Sequence, residues 1–380
     1  MPGNNRAAPK VKPRDFSGLF AVFAAGGTLD SAEAFGAGHI HETYRLRTRE
    51  KGNPGYILQR VNDRVFPDVP RLMENIARVT EHIRGKLEAV PGAEPEREVL
   101  TVVPTRDGRL FHREGDGSCW RCFLFIDHQP LGERPTQPRQ AFEAGRLFGR
   151  FIGLLFDLQP TSLHEIIPRF HDVEFRLGQF HEAFVMATPR RRQEAAAEVD
   201  FVNERAEEME RVLIAGREGL ITLRATHNDT KFNNVLFDSS GRGLCLIDLD
   251  TVMPGYVPYD FGDAVRSAAN TGREDDPDCE RVRIDIDVFR ELARGFLASL
   301  RGHLGAEEIR HLAFAAKLFA YMIGLRFLSD HLAGDKYFKT ERPGHNLQRA
   351  RAQFRLLQDM ERRFDEMEDI VSALAEGSTS

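Results

Sequence analysis

The feature that most constrains the fold of this 380-residue chain is a change in hydrophobic pattern near residue 127. Before that point, short segments alternate between apolar and polar residues, which is the period of a half-exposed strand. After it, apolar residues recur with the spacing of long helices, over 141–158, 194–215, 287–300, 307–332 and 347–374. Strands followed by helices, rather than alternating with them, predict an α+β fold.

The first part of the chain is predicted to form a small β-rich N-terminal lobe over 16–127, after a disordered tail over 1–15. It has one helical pattern, over 69–87, and a turn at Asp107-Gly108. Its strand signals lie at 43–47, 56–61, 99–103, 109–112 and 119–126. The remainder, 128–380, is predicted to be a large, mainly helical C-terminal lobe, in which only 235–250 has the pattern of a β-hairpin.

Charge and cysteine content exclude several classes of protein. The net charge of −6 argues against nucleic-acid binding, which requires a basic surface. Four cysteines are too few for a disulfide scaffold of this length, so we expect unpaired thiols and a reducing, cytoplasmic location. Cys119 and Cys122 have CxxC spacing, but on a strand they would face opposite sides. The apolar run 313–325, interrupted by Lys317, is too short to cross a membrane and predicts a core helix.

The residues with the clearest chemical signature lie around the predicted hairpin. The segment 227–234 reads His-Asn-Asp-Thr-Lys-Phe-Asn-Asn, and 247–250 reads Ile-Asp-Leu-Asp. Phosphoryl transfer needs a carboxylate that orients and deprotonates the attacking hydroxyl, and oxygen ligands for Mg²⁺. Asp229, Asn234 and Asp248 occur in the order and spacing of such a set. The pattern predicts a kinase with Asp229 as its catalytic carboxylate and Asn234 and Asp248 as magnesium ligands.

Neighbouring residues admit more than one role. The triplet 260–262 spells Asp-Phe-Gly, the kinase metal-binding motif, but it lies too far beyond the loop for the hairpin to return it. We therefore expect Asp260 to be a buried acid that braces the catalytic loop. His227 is expected to be a structural brace rather than a base. If Asp248 and Asp250 lie on a strand they share a face, which makes Asp250 either a further magnesium ligand or a bracing acid.

These segments resemble the aminoglycoside phosphotransferase and choline kinase superfamily and, within it, the N-acetylhexosamine 1-kinases. The narrower resemblance is carried by 227–234, 247–255 and 260–266. It extends over nearly the whole chain after residue 15, with further similar segments at 36–40, 56–60, 67–80, 120–127, 325–330 and 334–338. It implies a bilobal protein-kinase-like fold with the active site between the lobes, ATP as co-substrate, Mg²⁺ as cofactor and a small sugar as acceptor.

The resemblance also implies residues for the nucleotide. Gly36 and Gly38 would shape a loop over the phosphates, where a missing side chain lets the backbone approach closely. Phe125 and Asp127 would lie in the hinge beside the adenine.

One position departs from the wider kinase pattern. The strand over 56–61 would normally carry a phosphate-binding lysine, but here Gln59 is followed by Arg60. On a regular strand Arg60 points to the other face, so it does not replace the lysine. We therefore expect phosphate binding to depend more on Mg²⁺ and on Lys231.

For the acceptor, the resemblance implies that His39, Arg326 and Tyr337 lie beside the sugar together with Asp229. A sugar presents a ring of hydroxyls and needs directional hydrogen-bond partners on the walls of its pocket. Each residue has an ordinary alternative: His39 caps the glycine turn, Arg326 pairs with Asp330 one helical turn on, and Tyr337 belongs to the core.

The activity that the resemblance implies is phosphorylation of the anomeric hydroxyl of an N-acetylhexosamine by ATP, giving the sugar 1-phosphate. One alternative keeps the reaction and changes the acceptor to another sugar, a choline-like amino alcohol or an aminoglycoside. Another is a nucleotide-binding pseudokinase, which the missing lysine favours and the intact Asp229, Asn234 and Asp248 oppose. No nucleic-acid or membrane partner is expected, and the sequence leaves the oligomeric state open, a monomer included.

Overall fold

The computed structural model describes residues 15–36, 40–53 and 55–377, which form two compact units. The first unit consists of the described residues up to Met73 together with Thr101–Ile126, and the second of Glu74–Leu100 and the described residues from Asp127 onward. The fold is α+β, with a small antiparallel sheet in the N-terminal part and mainly helices in the C-terminal part, as the sequence predicts. The domain limits drawn from the sequence stay a prediction.

The first unit is built on one antiparallel sheet. A helix, α1 (Phe16–Val22), precedes its strands, which are β1 (Leu29–Ala34), β2 (Glu42–Thr48), β3 (Tyr56–Val61), β4 (Val102–Val103), β5 (His112–Arg113) and β6 (Cys119–Leu124). Their order is β1-β2-β3-β6-β4, and β5 also pairs with β6. The predicted turn is present, with Gly108 at a φ of 82°. The predicted pairing of the strands around it is wrong, because each is only two residues long and both lie against the continuous strand β6.

The two faces of this sheet differ in character. On one face, Leu58 and Trp120 belong to a hydrophobic core that also contains residues of α1. On the other face, the strand register places Thr43, Gln59 and Arg121 side by side across β2, β3 and β6. Because successive side chains of a strand point to opposite faces, this row lies on the face opposite Leu58 and Trp120, with buried Val61 and Phe123 beside it.

The second unit is mainly helical. The helix α2 (Val69–Glu88) begins in the first unit, and its residues from Glu74 onward belong to the second unit. The further helices are α3 (Pro95–Glu98), α4 (Pro138–Leu154), α5 (Val173–Met186), α6 (Pro189–Glu194), α7 (Ala196–Met209), α8 (Arg211–Arg217), α9 (Val257–Ala268), α10 (Ile286–Ser299), α11 (Ala306–Arg310), α12 (Leu312–Ala333), α13 (His345–Arg362) and α14 (Phe364–Glu376). Two antiparallel strand pairs interrupt them, β7 (Leu223–Thr226) with β10 (Met253–Tyr256), and the predicted hairpin of β8 (Val235–Phe237) and β9 (Gly243–Leu246).

Helix α12 lies in the core of the second unit and packs against α5, α9 and α13. With 22 residues it is longer than the apolar run suggested, and among the described helices it alone is long and apolar enough to cross a membrane. However, 83% of its most apolar part is buried inside the protein. The prediction of a core helix is therefore confirmed, although the length argument behind it is wrong.

Several helices differ from the sequence prediction. The pattern does not predict α5 or α9, although α9 is buried on nearly every side. The long segments predicted at 194–215, 307–332 and 347–374 are each divided in two. At the first two junctions the backbone stays close to helical values, so the spacing of the apolar residues hardly changes and the break is invisible in the sequence.

Glycines allow α4 and α10 to pack backbone against backbone. A β-carbon added to Gly295 would lie closer to the carbonyl oxygen of Phe142 than any real β-carbon approaches such an atom. We therefore expect Gly295→Ala to lower the free energy of unfolding by about 1–3 kcal/mol, the usual cost of overpacking. Thermal unfolding measures this change as a lower Tm.

The matched control is Gly178→Ala on α5, because no atom lies within 4 Å of the added β-carbon there. Alanine is about 0.8–1 kcal/mol better than glycine within a helix, so this variant should keep or raise the Tm. Equal effects of the two substitutions would show that helix propensity, not close packing, decides the outcome.

Candidate active site

The β8–β9 hairpin sets the spacing of the predicted site. Val235 pairs with Leu246, and one step further the carbonyl oxygen of Asn234 accepts a hydrogen bond from the backbone N–H of Ile247 at 3.0 Å. Asp248 is the next residue, so Asn234 and Asp248 lie at the same end of the hairpin. The structure therefore brings together the two residues that the sequence predicts to hold magnesium.

Asp229 lies in direct contact with Asn234 and Lys231. The side-chain Nδ2 of Asn234 donates to the backbone carbonyl of Asp229 at 2.8 Å and to its Oδ2 at 3.2 Å. The Nζ of Lys231 lies 2.7 Å from the other carboxylate oxygen, Oδ1. The carboxylate is therefore fixed in direction, while its side chain remains 18% exposed and accessible to a small molecule.

Opposing effects set the charge of this carboxylate. Burial raises the pKa of Asp229, but the charge and hydrogen bond of Lys231, with smaller help from His227 and Arg266, outweigh it and lower the pKa below its ordinary value. Burial likewise acts against the charge of Lys231, but the carboxylates of Asp229 and Asp263 raise its pKa. At neutral pH the pair is an ionised carboxylate beside an ammonium group, and such a carboxylate can accept a proton.

Substitution Lys231→Met is expected to move the acidic limb of the pH profile of kcat to higher pH. Removing the ammonium removes the largest effect that lowers the pKa of Asp229, while the effect of burial remains, so the pKa rises. The measurement is the pH at the midpoint of this limb, not the value of kcat at its plateau. Lys86→Met, which removes a lysine from a different carboxylate, Asp157, is the control and should leave the limb in place. If the acidic limb does not move in Lys231→Met, the ionisation that it reports is not that of Asp229.

Asp260 braces the loop that carries Asp229, as the sequence predicts. Its two carboxylate oxygens accept hydrogen bonds from the backbone N–H groups of His227, at 2.8 Å, and Asn228, at 2.7 Å. Burial raises the pKa of Asp260 to about 6, so it is still ionised at neutral pH. His227 is buried, and its Nε2 donates to the carbonyl of Ile247 at 3.1 Å, which confirms a structural role.

The residue before Asp229 is held from several sides. Asn228 has a left-handed backbone with a φ of 62°, and its Nδ2 lies within hydrogen-bond distance of three backbone carbonyl oxygens. The carbonyl of Asn228 accepts a hydrogen bond from Nε2 of His171 at 2.9 Å. Burial lowers the pKa of His171 to about 4, so it is neutral at pH 7. The sequence analysis does not find His171, because the contact joins positions 57 residues apart and no local pattern marks it.

The backbone around Asp248 departs from the prediction. Strand β9 ends at Leu246, Asp248 is left-handed with φ 62° and ψ 54°, and Leu249–Thr251 form a 3₁₀ turn. The argument that Asp248 and Asp250 share a strand face is therefore wrong, because no strand continues there to impose the two-residue alternation. Asp250 is only 2% exposed. Its role as a magnesium ligand stays a prediction, without that support.

The donor set at the end of the hairpin suits magnesium carried by a nucleotide. Asn234 and Asp248 offer amide and carboxylate oxygens, and Mg²⁺ commonly combines one or two such ligands with phosphate oxygens and water. Because Nδ2 of Asn234 is bonded to Asp229, its Oδ1 is the atom left for a cation. In the described part of the chain, no three His, Cys, Asp or Glu side chains cluster as an all-protein metal site would require.

The predicted nucleotide residues of the first unit include Gln59, on the face of the sheet opposite Leu58. Its Nε2 donates to Thr43 Oγ1 at 3.0 Å, and its Oε1 accepts from Nε of Arg121 at 2.9 Å. Arg60 lies on the opposite face and pairs with Glu42 at 2.8 Å, so it does not replace the missing lysine, as predicted. Arg121, only 2% exposed, lies directly across from Gln59. The sequence analysis does not single it out, because only the strand register places it beside Gln59.

The remaining nucleotide residues are only partly described. Gly36 has a φ of 79°, a left-handed value that favours glycine. Phe125 is buried, and Asp127 is exposed. Gly38 and His39 lie outside the described residues.

Of the predicted acceptor residues, Arg326 and Tyr337 lie together. The guanidinium carbon of Arg326 is 5.9 Å from the ring centre of Tyr337, 5.6 Å from that of Phe338 and 5.4 Å from that of Phe170. Arg326 does not pair with Asp330, whose carboxylate instead accepts hydrogen bonds from the backbone N–H groups of 336–338. Tyr337 is 63% exposed, so the alternative that it belongs to the core is also wrong.

A carboxylate, an amide and a lysine lie together on one loop, and an aspartate follows at the same end of the adjoining hairpin. This arrangement is typical of phosphotransferases. Residues 31–294, well over half of the chain, match the family model described as the APH phosphotransferase enzyme family. The chain belongs to this family.

Solved structures with the same fold include kinases of several small molecules. A microcompartment-associated aminopropanol kinase has 18% identity and a TM-score of 0.56, with 93% of this chain and 97% of that chain covered. An amicoumacin kinase in complex with AMP-PNP, Ca²⁺ and Ami has 13% identity and a TM-score of 0.57, with 94% of each chain covered. An ethanolamine kinase from Plasmodium vivax has 12% identity and a TM-score of 0.55, with 85% of this chain and 82% of that chain covered.

Proposed function

We propose that this phosphotransferase transfers the γ-phosphoryl group of ATP to the anomeric hydroxyl of an N-acetylhexosamine, in the cytoplasm. The observation that carries the reaction type is the ionised carboxylate of Asp229, held by Asn234 and Lys231. The sugar is supported by the resemblance of three segments, 227–234, 247–255 and 260–266, to N-acetylhexosamine 1-kinases. The cytoplasmic location is supported by four free cysteines, three of them buried.

In this mechanism Asp229 orients the sugar hydroxyl and accepts its proton. The hydroxyl oxygen forms a bond to the γ-phosphorus as the bond between that phosphorus and the β–γ bridging oxygen breaks, leaving ADP. Lys231 keeps Asp229 ionised before the transfer. Asn234 and Asp248 are the residues that would hold Mg²⁺, which neutralises phosphate charge when bound. The phosphorylated product is the sugar 1-phosphate.

The nucleotide roles of Gly36, Phe125 and Asp127 belong to the same proposal. So does Arg121, whose buried guanidinium beside Gln59 gives the sheet a positive charge where the usual lysine is missing. Arginine suits phosphate because its planar donors bind two oxygens at once.

A second candidate acceptor is an amine-bearing alcohol. The solved aminopropanol and ethanolamine kinases, whose names denote such acceptors, share the fold at 18% and 12% identity. Identity this low supports only the fold, so the motif resemblance makes the sugar the first choice. The pseudokinase alternative is opposed by the arrangement of Asp229, Asn234 and Lys231.

The deciding experiment measures ATP consumption by the full chain with Mg²⁺ and a panel of N-acetylglucosamine, N-acetylgalactosamine, glucose, ethanolamine and an aminoglycoside. We expect turnover with one or both N-acetylhexosamines and formation of the 1-phosphate, identified by ³¹P NMR. Turnover with only another hydroxyl compound would support the assignment as a kinase and reject N-acetylhexosamine as the acceptor. Nucleotide binding without turnover of any acceptor would favour the pseudokinase.

A further inference from the structure

Resting on the proposed function, we infer that Asn75 on helix α2 is a positioning residue of the magnesium site, because it holds the turn that follows Asp248. Asn75 lies in the part of α2 that belongs to the second unit, and it is fully buried, with 0% of its surface exposed. A buried amide is normally satisfied by hydrogen bonds. The partners of this amide therefore show which segments it connects.

The amide group of Asn75 binds three backbone atoms from two other segments. Its Nδ2 donates to the carbonyl oxygen of His164 at 2.8 Å and to that of Val252 at 3.0 Å. Its Oδ1 accepts a hydrogen bond from the backbone N–H of His164 at 2.9 Å. Both amide donors are thus used. The side chain joins α2 to the segment over 157–164 and to the backbone that follows the β8–β9 hairpin.

The contact with Val252 lies directly behind the proposed metal ligand. Asp248 precedes the 3₁₀ turn Leu249–Thr251, and Val252 closes this turn by donating its N–H to the carbonyl of Leu249 at 3.2 Å. The carbonyl of Val252 is the group that Asn75 holds. A left-handed backbone such as that of Asp248 persists only where its surroundings enforce it. The direction of the Asp248 side chain therefore depends on the contacts that fix this turn.

The catalytic loop holds the same turn at a different residue. Oγ1 of Thr251 donates to the carbonyl of His227 at 2.8 Å, and Nδ2 of Asn228 lies 3.1 Å from the carbonyl oxygen of Thr251. These contacts join the turn to the loop that carries Asp229, whereas Asn75 joins it to α2. Loss of the Asn75 amide leaves the other contacts of the loop in place. Its effect should therefore fall on the metal rather than on the base.

Helix α2 provides a fixed attachment because a row of polar side chains binds it along its length. The row recurs every fourth residue, which places it on one face of the helix, and it consists of Glu74, Arg78, His82 and Lys86. Their partners in the segment over 157–164 are Asp157, the carbonyl of Ser162 and the side chain of His164. Exposed contacts of this kind contribute little individually. The buried amide of Asn75 is thus the contact that transmits the position of α2 to the turn.

The first test measures the contribution of magnesium to nucleotide binding, without turnover. Calorimetry gives the Kd of the full chain for AMP-PNP with and without Mg²⁺, and the ratio of the two values reports the metal. Asn75→Ala is expected to raise the Kd with Mg²⁺ about tenfold, the lower end of the effect of groups that orient metal ligands. The Kd without Mg²⁺ should stay near the wild-type value. A purely structural role would lower the Tm without changing this ratio in the folded protein.

Two control variants separate this contact from its surroundings. Thr80 is also a buried polar residue of α2, but its hydroxyl donates only within the helix, to the carbonyls of Ile76 and Ala77 at 2.8 and 3.1 Å. Thr80→Val should therefore keep the wild-type ratio. His164→Ala removes the side-chain contact with Glu74 and leaves the backbone partners of Asn75 in place, so it should also keep the ratio.

A measurement on the wild type keeps the inference testable if Asn75→Ala does not fold. Hydrogen exchange of the ligand-free protein, at rising but sub-denaturing concentrations of denaturant, is followed in peptides covering 249–253 and 75–80. We expect both peptides to lose protection over the same range, because the turn opens only when its attachment to α2 is released. Exchange of the turn while α2 stays protected would overturn the inference.

The binding results decide between the inference and the proposed function. A wild-type Kd ratio in folded Asn75→Ala would overturn the inference, as would an equal loss in Thr80→Val. If Mg²⁺ does not affect AMP-PNP binding by the wild type, the proposed metal ligands fail and the inference fails with them. If Mg²⁺ strengthens binding but no acceptor of the panel is phosphorylated, only the proposed reaction fails, and the Kd ratio of Asn75→Ala still decides the role of Asn75.

Discussion

Asp229→Asn is expected to lower kcat by roughly 10²–10⁴, the usual contribution of a general base. Asparagine has nearly the same shape as aspartate, so the hydrogen bond from Asn234 to the backbone carbonyl of residue 229 can remain. The lost property is the negative charge that accepts the proton of the hydroxyl. Because phosphoryl transfer depends mainly on positioning and charge stabilisation, some activity should persist. ATP binding, measured by calorimetry, should be largely unchanged.

The control for this substitution is Asp238→Asn, which makes the same chemical change in the turn of the β8–β9 hairpin. Asp238 accepts hydrogen bonds from Ser240 and Arg242 and has no contact with Asp229 among the described residues. We expect its kcat to stay near the wild-type value. Near-wild-type turnover by Asp229→Asn, with the protein folded, would contradict the assignment of the base.

Asp248→Ala is expected to remove magnesium-dependent turnover. Asp248 provides the only charged oxygen ligand of the proposed pair with Asn234, and an alanine has none. The left-handed backbone at Asp248, with φ 62°, adds a cost for alanine that aspartate and asparagine tolerate better. Asp248→Asn is therefore the cleaner partner variant. It keeps the backbone and an oxygen ligand but loses the charge, so it should need more Mg²⁺ to reach half of its maximal rate.

Asp260 provides the contrast that separates metal binding from bracing. Asp260→Ala leaves the buried N–H groups of His227 and Asn228 without their acceptor, and each unsatisfied group costs about 1–3 kcal/mol. This variant should lose stability, seen as a lower Tm, rather than affinity for Mg²⁺. A folded Asp260→Ala that loses Mg²⁺ dependence, together with an Asp248→Ala that keeps it, would reverse the two assignments.

The local part of the site could be predicted because its spacing follows from strand geometry. Asp229 and Asn234 lie on one short loop, and a two-stranded hairpin returns the chain to Asp248 by backbone hydrogen bonds alone. Such contacts depend on residue order and turn length, both of which are visible in the sequence. The strands over 43–47 and 56–61 and the core helix over 313–325 also match the structure, because the spacing of their apolar residues is visible in the sequence.

The sequence by itself therefore determined the class of fold, the hairpin and the order of the residues proposed for chemistry. Tertiary packing alone decided that His171 donates a hydrogen bond to the carbonyl of Asn228 and that Arg121 lies across from Gln59. It also placed Arg176 at the carbonyl of Phe170 and Arg326 against the ring of Phe170. These contacts join residues far apart in the chain, and burial and strand register, rather than any local pattern, create them. The structure also shows that the backbone is left-handed at Asp248, so Asp250 does not share a strand face with it. The strand ends there because the last backbone hydrogen bond of the hairpin is made by Ile247.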